Sequence, residues 1–215
     1  TSSIAQSIIR RNKKVFTFVD LAGHEKYLKT TVSGLNGYFI DYAIIVIGAD
    51  RGIIGMTKEH LIVAMSLKIP IIIVITKIDA AVEKKVNRIQ KRLDTICSGS
   101  FAGKKKLRYI NDENINNIIT SYHPENQEIP VFKISNKTGD NIDNMKAFIF
   151  SLSSLKKIGN IDSHNPKFVI DSRFKLPGIG LVITGVTQDG LFSKNKEYFL
   201  GPFNSTFKKV VIRSI

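Results

Sequence analysis

The stretch PIIIVITKID, residues 70–79, decides the fold class. Its first seven residues form a near-continuous apolar run, which predicts a β-strand buried on both faces. Three further runs of this kind are VFTFV at 15–19, AIIVIG at 43–48 and PVFKI at 130–134. All four are typical of parallel strands that are covered by helices.

Helical patterns lie between these runs. Apolar residues recur every three or four positions over residues 82–96 and 142–152, and shorter helical patterns cover residues 26–35 and 57–67. Strands that alternate with helices predict an α/β fold with a doubly wound, mostly parallel sheet. Residues 98–128 break the alternation, and we expect a partly ordered, basic surface insertion there.

The composition changes near residue 159. GNIDSHNP at 159–166 is typical of a linker, and the short β-rich segments beyond it are separated by PGIG and QDG turns. The sequence therefore predicts an α/β domain at residues 1–158 and the start of a small all-β barrel at residues 167–215.

The formal net charge is +14, which attracts polyanions and makes nucleic acid the first partner to consider. Lysine-rich usage that merely reflects an AT-rich genome is an equally good explanation.

The single cysteine, Cys97, excludes an internal disulfide. No apolar run reaches the roughly 20 residues that span a bilayer, and no signal peptide is recognisable, so we expect a cytoplasmic protein without membrane contact. The oligomeric state is not indicated.

Polar groups follow three of the four predicted strands, at the edge where an open parallel sheet binds its ligands. They are Asp20 after the first strand, Thr76, Lys77 and Asp79 after the third, and Ser135, Asn136 and Lys137 after the fourth.

This set suits a guanine nucleotide. Guanine presents two adjacent donors, the N1 hydrogen and the exocyclic amine, and the carboxylate of Asp79 can accept both. Adenine has no such pair of donors. The apolar stem of Lys77 can lie over the base, and backbone amides in the turn at Ser135 and Asn136 can reach the guanine carbonyl oxygen.

The residues after the first strand suit the triphosphate end. Asp20 would hold Mg²⁺ through water, and the amide of Gly23 would approach the γ-phosphate. His24 would lie beside the attacking water, since phosphoryl transfer needs mainly positioning and charge stabilisation. Structural alternatives stay open. Asp20 and Gly23 could form a strand-to-helix turn with an N-cap aspartate, and His24 could be a polar helix-start residue. Residues 76–79 could be a simple helix entry, and Ser135 and Asn136 could be ordinary turn residues.

These motifs resemble those of the translational GTPases, the superfamily of elongation factor Tu. DLAGHEKY resembles the DxxGH signature, TKID the NKxD signature and ISNKTG the fifth signature. DLAGHEKYLKTT and GMTKEHL are similar to segments of the GTP-binding protein 1 and 2 group, and residues 168–192 resemble the start of the second, β-barrel domain of these factors. The resemblance implies a P-loop NTPase-type sheet, GTP and GDP as ligands, Mg²⁺ as metal, GTP hydrolysis, and contacts with the ribosome and with aminoacyl-tRNA or other RNA.

The sequence departs from this pattern in two respects. The phosphate-binding loop GxxxxGK[ST] and its preceding strand are absent, so we interpret the sequence as a fragment that is inactive by itself. Thr76 replaces the usual asparagine, as in the named group. By resemblance, Thr1 corresponds in spacing to the switch threonine that binds Mg²⁺, and we predict it as a second metal ligand beside Asp20.

The leading hypothesis is a GTP-binding and GTP-hydrolysing protein similar to a translation elongation factor, with His24 as its catalytic residue. Two alternatives stay open. One is a catalytically inactive, GTPase-derived RNA-binding module, and the other is a factor that delivers initiator or selenocysteyl-tRNA.

Overall fold

The computed structural model describes residues 4–11, 14–27, 31–32, 34–35, 40–99, 103–155 and 165–215. The chain forms two compact units, which divide between residues 156 and 157. Most of the predicted linker, up to residue 164, lies outside the described residues.

The first unit contains the following elements in chain order. The strands are β1 (Ile4–Arg11), β2 (Lys14–Leu21), β3 (Ala43–Gly48), β4 (Ile71–Thr76), β5 (Lys106–Ile110) and β6 (Glu128–Lys133). The helices are α1 (Gly55–Ser66), α2 (Glu83–Cys97), α3 (Ile115–Ser121) and α4 (Ile142–Ser151). Four strands form one parallel sheet in the order β3-β4-β6-β5. The predicted α/β fold with a parallel sheet is confirmed.

Strand β4 runs through the middle of the core, as its continuous apolar run predicts. Its residues Ile71–Ile75 are all buried, and their side chains alternate between two faces of the sheet. Ile73 and Ile75 join a cluster with residues of α1 and α2, whereas Ile72 and Val74 join a cluster with residues of α3 and α4. Helices therefore cover both faces, which is the doubly wound arrangement.

The region 98–128 is not a surface insertion, and this expectation was wrong. It contributes strand β5, which pairs in parallel with β6 and places Tyr109 opposite Val131. It also contributes α3, whose Ile115 and Ile118 are buried in the core. Residues 100–102 of this region lie outside the described residues.

The predicted strand at 15–19 exists within β2, but it does not belong to the parallel sheet. It pairs antiparallel with β1, a strand that the sequence analysis missed. Val15 is 62% exposed, whereas Phe16 is half-buried and its ring lies 5.1 Å from that of Phe150 in α4. No residue of β2 is fully buried, which fits an antiparallel pair that is open to solvent and which the apolar run alone did not reveal.

In its described residues, 165–215, the second unit contains two antiparallel hairpins. The first joins β7 (Lys167–Leu176) to β8 (Gly180–Asp189), and the second joins β9 (Glu197–Phe203) to β10 (Thr206–Val211). Gly178 and Gly180 have positive φ angles at the predicted PGIG turn, a conformation that glycine adopts without steric cost. Among the described residues of the chain, no helix has the length and apolar character needed to cross a membrane.

Candidate functional site

The loops that follow β4 and β6 meet through Asp79 and Ser135. The Ser135 hydroxyl donates a hydrogen bond to Oδ1 of Asp79 at 2.5 Å, although the two residues are 56 positions apart. Backbone bonds hold the loops together, since the Ile134 N–H donates to the Ile75 carbonyl and the Ile78 N–H donates to the Ile134 carbonyl. The fold therefore fixes the carboxylate at the carboxyl edge of the sheet.

Ser135 also orders the turn after β6. It is fully buried, and its Oγ accepts the N–H groups of Lys137 and Thr138 at 3.2 Å each. Asn136 and Lys137 are exposed beside it. The same hydroxyl thus orients both the carboxylate of Asp79 and the amides of the neighbouring turn.

Lys77 is held by an acid that the sequence analysis missed. Its backbone is left-handed, with φ of 60°, and its Nζ lies 3.2 Å from Oδ2 of Asp50, just after β3. Lys85 of α2 donates to the Asp50 carbonyl. The Lys77 ammonium lowers the pKa of Asp50 through their hydrogen bond, so the acid stays ionised. The signal in the sequence was GAD at 48–50, because Asp50 follows β3. With it, the ends of β3, β4 and β6 all carry polar residues at the same edge of the parallel sheet.

Thr76 ends β4 opposite Gly48 of β3 and is half-buried. Its carbonyl accepts the Ala49 N–H at 2.8 Å, which ties the end of β3 to the end of β4. The ends of β3, β4 and β6 therefore lie side by side, and each carries polar residues.

The loop after β2 places Asp20, Gly23 and His24 on the surface. All three are exposed, and a Cβ added at Gly23 would meet no atom within 4 Å. Protein packing therefore does not require glycine at position 23, and space for a ligand is open there. Nδ1 of His24 accepts the Lys26 N–H at 3.2 Å, and its ring lies 6.3 Å from the ring of Tyr27 in an edge-on arrangement.

Thr31 ties this loop to the residues that follow. It is buried, and its hydroxyl donates to the carbonyls of Ala22 at 2.8 Å and Tyr27 at 3.2 Å. Residues 31, 32, 34 and 35 are helical, whereas residues 28–30 and 33 of the predicted helix lie outside the described residues. Sequence reasoning missed Thr31, because its role depends on the fold of the loop.

The structure therefore brings the predicted residues into two groups. One group combines Thr76, Lys77, Asp79, Ser135, Asn136 and Lys137, and the other combines Asp20, Gly23 and His24. Within the described ranges, no hydrogen bond or ion pair joins the two groups, and no three His, Cys, Asp or Glu residues gather into a metal-binding cluster. Thr1 lies outside the described residues.

Comparison with known proteins decides the family. A family model of the elongation factor Tu GTP binding domain matches residues 1–157. The chain belongs to the translational GTPase family. The resemblance predicted from DLAGHEKY, TKID and ISNKTG is thereby confirmed.

Relatives of this translational GTPase include two curated proteins and a solved structure. GTP-binding protein 1 of Xenopus laevis is 36% identical over 97% of this chain, and human GTP-binding protein 2 is 30% identical over 94%. The crystal structure of translation elongation factor SelB from Methanococcus maripaludis, in complex with the GTP analogue GppNHp, has a TM-score of 0.63 and 28% identity. The structural match covers 92% of this chain and 38% of the SelB chain. The chain spans about a third of the two curated relatives, 32% and 34%.

Proposed function

We propose that this chain supplies the guanine-nucleotide site of a GTP-hydrolysing translation factor. Family membership supports this function, and one observation carries it: the buried Ser135 hydroxyl holds the Asp79 carboxylate at the shared edge of β4 and β6. Ligands of open parallel sheets bind at this edge.

In the proposed complex, Asp79 accepts the guanine N1 hydrogen and the exocyclic amine. Lys77 lays its apolar stem along the base while its ammonium stays with Asp50, and the amides near Asn136 and Lys137 meet the guanine carbonyl oxygen. Thr76 keeps the ends of β3 and β4 in register beside the base. An adenine base would not offer the carboxylate this pair of donors, and the missing hydrogen bonds would cost roughly 1 to 3 kcal/mol.

The loop after β2 is assigned to the phosphates and to Mg²⁺. Mg²⁺ binds oxygen ligands and typically takes one or two carboxylates together with phosphates and water, so a single exposed carboxylate at Asp20 fits its chemistry. Thr1 is the proposed second ligand. The metal would neutralise charge on the β- and γ-phosphates. The open space at Gly23 suits the approach of a phosphate to its amide.

His24 is assigned to the attacking water. Because its Nδ1 accepts the Lys26 N–H, a neutral imidazole carries its hydrogen on Nε2. This tautomer donates a hydrogen bond and orients water rather than removing its proton.

The similarity to SelB favours a second, narrower candidate, in which the factor delivers selenocysteyl-tRNA. Both candidates place the protein with ribosomes and an aminoacyl-tRNA, in the cytoplasm. The inactive RNA-binding module is the alternative without nucleotide chemistry.

Nucleotide titration of the protein at its full encoded length tests the base assignment. We expect Asp79→Asn to weaken GTP binding by about 10-fold or more. The same variant should gain affinity for xanthosine triphosphate, because the asparagine amide can donate to the carbonyl that xanthine has in place of the guanine amine. Asp143→Asn is the matched control, since it makes the same charge change on a side chain that is 98% exposed. Equal competition by ATP, or no nucleotide binding by the unaltered protein, would reject the proposal.

A further inference from the structure

We propose that the outer face of α2 and the lysine run after it bind the phosphate backbone of RNA. This surface, the basic track, consists of Lys84, Arg88 and Lys91 on the helix and of Lys104, Lys105 and Lys106 before and at the start of β5. Neither the base site nor the phosphate site uses these residues.

The helix period places the first three cations on one line. Helix α2 buries Val86, Ile89, Leu93 and Cys97, and the positions opposite that face are occupied by Lys84, Arg88 and Lys91. All three are exposed. With a rise of about 1.5 Å per residue, they lie about 6 and about 4.5 Å apart along the helix axis.

The lysine run continues the track at the carboxyl end of α2. Lys106 and Lys104 are exposed, and the Lys104 N–H donates to the carbonyl of Gly99, two residues beyond the helix. The ammonium of Lys105 is close enough to Cys97, the last residue of α2, to oppose the rise in the pKa of its thiol. Positive charge therefore extends along the helix and past its end.

Among the described residues, no ion pair holds these charges. In the part of the chain that the structure describes, the four ion pairs involve Lys77, Arg108, Lys146 and Lys209, and none involves the track. Like charges at spacings of four and three, such as Lys84 with Arg88, repel each other on a helix. Lys84 also lies in the first turn, where the helix dipole disfavours a cation. A bound polyanion would offset these costs.

Other cations of α2 have structural partners. Lys85 donates to the Asp50 carbonyl, and Arg92 donates to the Ile53 carbonyl at 3.4 Å. The helical part of the track therefore consists of the three cations of α2 that have no such side-chain hydrogen bond in the described part of the chain.

The chemistry of the track favours nucleic acid over a folded acidic protein. Neither α2 nor β5 exposes a large apolar side chain, whereas protein interfaces rely on buried apolar and aromatic anchors. Nucleic-acid interfaces are polar and strongly positive, and a strand presents a regular series of phosphates that a line of cations can follow. The choice of RNA rather than DNA rests on the proposed function in translation.

Fluorescence anisotropy with a labelled single-stranded RNA of about 20 nucleotides tests the track on the full-length protein without GTP. We expect the variant K84Q/R88Q/K91Q to bind at least about 10-fold more weakly at about 100 mM salt. The slope of log K against log salt should flatten by about 2, because each phosphate contact to a single strand contributes about 0.7. K104Q/K105Q/K106Q, at the other end of the track, should show the same direction of change.

The control variant K58Q/K68Q/K146Q removes the same charge from α1, from the turn after it and from α4. It should bind within about twofold of the unaltered protein. An equal loss in control and track variants would overturn the proposal, because net charge alone would then explain RNA binding. Labelled polyglutamate that binds as tightly as RNA and loses as much in the track variant would also overturn it in favour of an acidic protein partner.

The GTP affinity of the same variants separates the two proposals. Lost RNA binding with unchanged GTP affinity supports the track. If the unaltered protein binds RNA through the track but binds no GTP, the proposed nucleotide site fails and the track stands.

Discussion

Ser135 is the residue on which the geometry of the proposed base site depends. Its hydroxyl makes three hydrogen bonds at once, one to Asp79 and two from the turn amides of Lys137 and Thr138. Sequence reasoning chose Asp79 and Ser135 because both follow buried strands. It missed Asp50, because the pairing with Lys77 depends on a left-handed backbone at Lys77 and on the register of β3 with β4.

Replacement of Ser135 by alanine should weaken GTP binding by about 10-fold. The change leaves a carboxylate oxygen and two N–H groups without this partner, and a lost buried hydrogen bond costs about 1 to 3 kcal/mol. Isothermal titration calorimetry measures the effect. Ser98→Ala removes an exposed hydroxyl and should bind as the unaltered protein does. GTP affinity that is unchanged in Ser135→Ala would show that Asp79 needs no help from this hydroxyl.

His24→Ala should slow GTP hydrolysis by about 100-fold while leaving GTP affinity within about twofold, because a water-positioning group acts mainly in the transition state. Single-turnover hydrolysis by the full-length protein, with and without ribosomes, gives the rate. His123→Ala is the control, since His123 is also exposed but follows α3. An unchanged hydrolysis rate in His24→Ala would show that His24 has no catalytic role. If the unaltered protein hydrolyses no GTP, the catalytically inactive RNA-binding module is favoured instead.

At the scale of elements, the long apolar strands and the amphipathic helices were predictable, and the edges of the sheets were not. Strand β5 has five residues, begins with a lysine and buries only Ile110 fully, because it lies at the end of the parallel sheet. Its sequence therefore resembles a loop. Strand β2 shows the opposite error, since an apolar run suggested burial on two faces whereas the pairing with β1 gives an antiparallel hairpin.

The core role of α3 predicts a large effect of Ile118→Ala. Ile118 is 3% exposed and packs in the cluster that contains Phe132 and Phe148. Loss of its side chain should lower the free energy of unfolding by about 2 to 4 kcal/mol, measured by urea denaturation. Asn117→Ala, at an exposed neighbouring position, should change it by less than about 0.5 kcal/mol. A similarly small change in Ile118→Ala would contradict the packing of α3 against the sheet.

At the scale of the whole molecule, burial of Cys97 links the stability of the first unit to pH. The thiol is fully buried at the end of α2, and desolvation, with a smaller effect of Asp94, raises its pKa from 9.0 to about 11. Between these values the unfolded chain loses the thiol proton and the folded chain keeps it. Stability must therefore fall as pH rises through this range, by about 1 kcal/mol at pH 10.

A comparison of the unaltered protein with Cys97→Ala isolates the pH dependence that the thiol contributes to stability. Tyrosines also titrate at high pH, but they do so in both proteins. Unfolding followed by circular dichroism at 222 nm reports the first unit, because all of the described helical residues lie there. From pH 8 to pH 10, the unaltered protein should lose about 1 kcal/mol more stability than Cys97→Ala does. Parallel pH profiles would mean that the thiol ionises equally easily in both states, which would contradict its burial in the core cluster at the end of α2.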